Sequence, residues 1–148
     1  MRRFAIALAG IGWALSCADP TPANDDDPVM TGCVERDLLS CDQLYPPTWS
    51  QVFEQTVATG CVGGAACHVD TSAAGAQTGF VIDDADATYV RLFDGDAPLV
   101  VPGDPSCSPL IARLESLDPD WRMPPGNTPL AAGARCSIAH WIADGAAQ

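Results

Sequence analysis

The chain has 148 residues, 19 acidic side chains against seven arginines and no lysine, and a net charge of −12. Such a surface repels nucleic acid and anionic membrane, so neither is an expected partner. The length holds one domain and a tail, and the acidity keeps an exported protein soluble.

Met1-Arg2-Arg3 is a basic start, and Phe4 to Leu15 is an apolar run of signal-peptide length, too short to span a membrane. Residues 1–16 therefore read as a signal peptide. Ala14-Leu15-Ser16-Cys17 resembles a bacterial lipobox, with Ala14 where leucine is usual. On that reading Cys17 is lipidated and begins the mature chain; the alternative is an ordinary signal peptide cut near Ser16 or Ala18. Residues 17–32 form an anchor and tether. Three prolines and Asp25-Asp26-Asp27 leave this stretch nothing to bury, so disorder is expected.

Residues 33–47 read as a small separate unit. Val34, Leu38 and Leu44 give a weak helical period, and Cys33 and Cys41 bracket it as a local disulfide staple. Pro46-Pro47 ends it. Little contribution to the main core is expected before about Pro47.

Thr48 and Gln51 have the form of a capping box. Val52, Phe53, Thr56 and Val57 line one face of the helix that follows, and Gly60 is a plausible stop. The helix leads into Cys61-Val62-Gly63-Gly64-Ala65-Ala66-Cys67-His68, the densest cluster of reactive side chains in the sequence. A C-x-x-C-H run reads as c-type haem attachment, with thioethers from the cysteines and the histidine as proximal iron ligand. Cys67-His68 matches the second half of that motif. Cys61 does not, because five residues separate the cysteines. Six positions apart, they fall on different faces of a regular helix, and the glycines point to a looped backbone that could bring them together. That geometry suits a thioether pair and a Cys61–Cys67 disulfide equally.

Residues 69–79 are small and polar and read as a loop. Phe80-Val81-Ile82 is a short apolar run. Asp86 to Phe93 looks helical, with Tyr89, Val90 and Phe93 on one side. Leu99-Val100-Val101 reads as extended, and Pro102-Gly103-Asp104-Pro105 as a tight turn. Ser108 caps a helix with Pro109 at its first position and Leu110, Ile111, Leu114 and Leu117 as its stripe. Met123-Pro124-Pro125-Gly126 is non-helical, and the prolines would hold Met123 in one place, as core filler or as a distal iron ligand. Thr128 and Pro129 start a final helix with Ala134, Ile138, Trp141 and Ile142 inward and Gly145 as its stop. Its stripe and that of the first helix are expected to pack together. His140 lies off the stripe and reads as solvent-facing.

The order Gly79-Phe80-Val81-Ile82, the Tyr89 helix, Val101-Pro102-Gly103-Asp104-Pro105, Ser108-Pro109-Leu110, Arg122-Met123-Pro124-Pro125-Gly126 and Trp141-Ile142-Ala143-Asp144-Gly145-Ala146 resembles a group of exported bacterial cytochrome c-like domains, often lipoproteins. The resemblance covers roughly residues 48–146. It implies a mostly α, small helical domain with long loops, and haem c held by Cys61 and Cys67. It also implies His68 as proximal and Met123 as distal ligand, with Phe80, Leu99, Leu110 and Leu114 as walls. Cys107 and Cys136 are paired by sequence proximity, which, with Cys33–Cys41, accounts for the remaining cysteines. The function expected is an electron carrier, or a module of an oxidoreductase complex, in the cell envelope. It would meet a redox partner protein and touch the membrane only through its N-terminal lipid. The alternative is a haem-free, disulfide-stapled surface lipoprotein of the same fold. No hydrolase constellation stands out.

Overall fold

The computed structural model describes residues 32–63, 67–95 and 97–148. The expected signal peptide, Cys17 and nearly all of the tether lie outside the described residues. Among the described residues there are four longer helical runs, a short 3-10 helix at Gly75–Thr78 within the expected loop, and no strand. None of these helices is long and apolar enough to cross a membrane.

The first helix, α1, is a continuous run of Trp49–Val52 (α), Phe53–Val57 (π) and Ala58–Gly60 (α). Its buried side chains are Trp49, Val52 and Thr56. Thr48 stands at the N-cap, but its side chain makes no cap hydrogen bond, so the expected capping box does not form. Helix α2 spans Ala85–Phe93, and the Asp84 carboxylate caps it by accepting from the Ala87 N–H at 2.8 Å. Thr88 and Leu92 face inward, whereas Val90, expected on the buried side, is exposed. Helix α3 spans Pro109–Glu115. Ser108 precedes it, but its hydroxyl turns back to donate to the Asp104 carbonyl (2.8 Å) and accept from the Val101 N–H (2.9 Å), fixing the tight turn. Leu117 falls beyond the helix and is exposed.

Helix α4 spans Ala132–Ala143, later than the expected start at Thr128. Ala134, Ile138, Trp141 and Ile142 are all buried. Gly145 ends the helical stretch at φ 98°, a left-handed conformation that a side chain would strain. Helices α1 and α4 meet through Trp49 and Trp141, whose ring centroids are 5.3 Å apart. Tyr89 of α2 packs on both, at 5.5 and 6.5 Å. The two apolar stripes that neither helix could bury alone thus form one aromatic centre.

The 33–47 segment is part of this core, contrary to the expectation. Val34, Leu38 and Tyr45 are buried in the same cluster as Trp49, Ile111 and Trp141. The four bridging cysteines are those expected, but the pairing is exchanged: Cys33 joins Cys107 and Cys41 joins Cys136. The physical reason is that this segment lies along α4 instead of folding on itself. The Ser137 hydroxyl accepts from the Leu44 and Tyr45 N–H groups and donates to the Tyr45 carbonyl at 2.8 Å. Leu44 N–H also donates to the Gly133 carbonyl at 3.0 Å. A side chain at Gly133 would meet Asp42 and Leu44 atoms at 3.1 Å, a tight contact that favours glycine at this close approach. Buried Glu115 receives Arg36 from the segment and Arg135 from α4, which ties three parts of the chain at one carboxylate.

Candidate functional site

The helix α1 ends at Gly60 and delivers Cys61 as its C-cap. Residues 64–66 lie outside the described residues, and beyond them His68 N–H donates to the Cys61 carbonyl at 3.0 Å. One backbone bond thus ties the two ends of the widened spacing together. Cys61 and Cys67 are both free thiols. Burial pushes the Cys61 thiol up to about 11, and the neighbouring Cys67 adds to the shift. Cys61 packs towards the end of α1, with its sulfur 3.9 Å from the Thr56 carbonyl oxygen. The Tyr45 hydroxyl is 2.5 Å from the Thr56 hydroxyl; burial chiefly raises its pKa, and Cys61 adds to the rise.

His68 is fixed on three sides. Its carbonyl accepts from Ile82 N–H at 2.8 Å, its ring lies edge-on to Phe80 at 5.3 Å between centroids, and its Nδ1 is 2.8 Å from the Phe80 carbonyl. A carbonyl can only accept, so Nδ1 carries the proton and Nε2 is left with its lone pair. A histidine held through one ring nitrogen by a carbonyl and open at the other is arranged as a metal ligand is. The apolar run that supplies Phe80 is itself held: Arg91 donates to the Val81 carbonyl at 2.9 Å and pairs with Asp83 at 2.7 Å.

Met123 lies on a turn pinned to α3. Its N–H donates to the Arg113 carbonyl at 2.8 Å, and the Arg113 guanidinium sits 4.3 Å over the Trp121 ring and donates to the Trp121 carbonyl at 2.8 Å. Gly126 N–H donates to the Pro119 carbonyl at 2.8 Å, and the Met123–Pro124 peptide is cis. The Met123 side chain is half-buried against the same core as Phe80, Leu99 and Leu110, while Leu114 is inside the core proper. Both sequence-expected ligands thus stand on rigidly held segments that meet a common apolar core.

Arg122 was only a motif letter in the sequence, and the structure gives it a place. It is 8 % exposed, its NH2 donates to the Gly126 carbonyl across the turn that carries Met123, and its Nε is buried without a partner. The signal available in the sequence was an arginine next to the candidate methionine in a chain without lysine.

His140 is half-buried, with Nε2 3.0 Å from the Leu39 carbonyl. It neighbours the Cys41–Cys136 sulfurs closely enough to complete a three-ligand group, but both sulfurs are spent in the bridge. A cavity of about 450 Å³ opens elsewhere, between Trp49, Phe53, Asp86, Trp141 and Asp144, and is not lined by Cys61, Cys67, His68 or Met123.

A family model described as Planctomycete cytochrome C matches residues 65–127, a stretch that includes Cys67, His68, Arg122 and Met123. The match supports a cytochrome c-like domain. No curated protein and no solved structure matches the chain.

Proposed function

We propose that this chain is a c-type haem-binding electron-transfer protein of the cell envelope. The observation that carries the proposal is the cytochrome c family match over the stretch that holds Cys67, His68 and Met123. The donor set fits the group. Cys61 and Cys67 are unbridged in a chain whose other described cysteines are all in disulfides. His68 keeps Nε2 open because Phe80 engages Nδ1. Arg122 offers a buried N–H that lacks an acceptor.

In this reading His68 Nε2 and the Met123 sulfur would ligate the iron, and the thiols of Cys67 and Cys61 would hold the porphyrin as thioethers. Haem would supply a one-electron couple there, and ligation by methionine as well as histidine would raise its potential. The chain's own work is to orient His68 through Phe80, to hold Met123 through Arg113, and to keep water away with Phe80, Leu99 and Leu110. Two disulfides suit an oxidising compartment, which supports export, and Cys17 would then carry the lipid anchor. A periplasmic or outer-membrane-associated carrier of this charge would meet a redox partner protein through a basic face.

Absorption spectra of protein produced with haem-maturation machinery test the reading. Wild type is expected to show a Soret band, His68→Ala to lose it, and Met123→Ala to keep the pigment with a shifted spectrum and a lower potential. A colourless wild type would leave the haem-free stapled domain as the function to pursue.

A further inference from the structure

The cavity of about 450 Å³ lies where the start of α1, the start of α2 and the end of α4 come together, with Ala147 and Gln148 beside them. Its volume falls in the range of roughly 300–1,000 Å³ usual for small-molecule sites. Its wall is aromatic. Half-buried Phe53 packs on Trp49 at 5.6 Å between ring centroids, and Trp141 backs Trp49 at 5.3 Å. Both indole N–H groups are already spent, Trp49 on the Ala85 carbonyl at 3.2 Å and Trp141 on the Ala147 carbonyl at 2.8 Å. The wall therefore offers a ligand π surface and apolar contact, with no indole donor left over.

The rim is anionic. Glu54, Asp86 and Asp144 are exposed at its edge, and no arginine lines it. Among the described residues no ion pair reaches any of the three, and Asp86 accepts from the Gln148 amide at 2.6 Å. These carboxylates are spread round the opening. Among the described residues, ligand atoms converge within 4.8 Å as a metal site demands at Cys41, Cys136 and His140, far from this rim in kind and in place.

The combination selects a ligand class. An anion meets three carboxylates in a chain of net charge −12. A bare metal ion needs oxygens gathered at contact distance, which this rim does not provide. A quaternary ammonium has no N–H to satisfy, spreads its charge over methyl groups, and is held by aromatic rings and by negative potential acting at a distance. We infer that the cavity binds a small, free quaternary ammonium compound, its methyl groups against Phe53 and Trp49 and its charge balanced by Glu54, Asp86 and Asp144. The site shares no residue with the proposed haem site and does not rest on it.

The full chain is titrated with choline and with dimethylbutanol, its uncharged carbon isostere, and nuclear magnetic resonance follows the indole N–H signals. Those of Trp49 and Trp141 should shift saturably with choline, because their acceptors Ala85 and Ala147 also line the cavity, while Trp121 stays unmoved. Choline is expected to bind about tenfold more tightly than the isostere, as a cation–π contact reinforced by carboxylates implies. Combined Glu54→Gln and Asp144→Asn, both at exposed positions, should abolish most of that preference and leave isostere binding unchanged. Added salt should weaken choline binding in the wild type and not isostere binding. No shift at Trp49 and Trp141 up to tens of millimolar choline, equal affinity for the two probes, or a preference that survives the double variant overturns the inference. Capture of the chain on phosphatidylcholine vesicles with no binding of free choline would move the same chemistry to a lipid headgroup and overturn the free ligand.

Discussion

Trp141→Ala removes the side chain on which three helices converge. The indole is 2 % exposed, faces Trp49 at 5.3 Å and Tyr89 at 6.5 Å, and donates its N–H to the Ala147 carbonyl at 2.8 Å. Burying roughly 150–250 Å² of aromatic surface is worth about 4–6 kcal/mol at the usual area coefficient, an upper bound because the unfolded chain is partly collapsed. Trp→Ala replacements in cores cost about 3–5 kcal/mol, and that range is the expectation. Urea unfolding followed by circular dichroism measures it. In a thermal melt each kcal/mol moves the midpoint of a domain this size by roughly 4 °C, so the melt should fall by roughly 12–20 °C. Trp141→Phe keeps a ring in place and loses the bond to Ala147, for about 1 kcal/mol. A loss under about 1 kcal/mol for the alanine variant would be a surface-like effect and would refute the packing of α1 on α4.

Peptide mapping without reduction should recover Cys33 linked to Cys107 and Cys41 linked to Cys136; a Cys33–Cys41 peptide would contradict the fold of the N-terminal segment. With a sequence separation of 74, replacing Cys33 and Cys107 by serine should cost on the order of 4–5 kcal/mol in the chain-entropy model, read by urea denaturation. The Cys61 thiol should alkylate slowly at neutral pH and speed up only as pH approaches about 11 in a mass-resolved iodoacetamide time course. Its pKa is raised from 9.0, so the folded state holds the proton longer than the unfolded one. The resulting stability is complete below pH 9 and is lost between about 9 and 11, which a pH series of melts on haem-free protein would follow. Glu115→Gln takes the charge from two arginine partners at a buried position and should cost about 1.5–3 kcal/mol in the same urea assay, whereas a surface pair would cost under about 1 kcal/mol.

Helices whose apolar residues recur regularly were legible in the sequence. Val52, Ile111, Ile138, Trp141 and Ile142 all face inward as their spacing requires, because burying each stripe leaves few alternatives. Val90 and Leu117 escaped that logic, since α2 turns its Thr88–Leu92 face inward and α3 stops before Leu117. The N-terminal segment was misread for a related reason. Its weak period and two nearby cysteines look self-contained. What places it is the hydroxyl of Ser137, the close approach at Gly133 and the Glu115 junction, contacts between residues some 80–100 positions apart. Proximity in sequence cannot rank disulfide pairings, and here it chose the wrong partners for all four cysteines. At the candidate site, the sequence singles out Cys61, Cys67, His68 and Met123 as candidates. The Phe80 carbonyl that sets the His68 tautomer and the buried Arg122 depend on the fold and are not legible there.

In the function proposed here, Cys61 and Cys67 hold haem and not each other. The intact mass of the protein under denaturing conditions, after production with haem-maturation machinery, tests it most directly. A mass increased by one haem is expected, with the two bridges Cys33–Cys107 and Cys41–Cys136 intact, and the added mass should be lost in Cys67→Ser. An unmodified mass accompanied by a third disulfide joining Cys61 to Cys67 would contradict it.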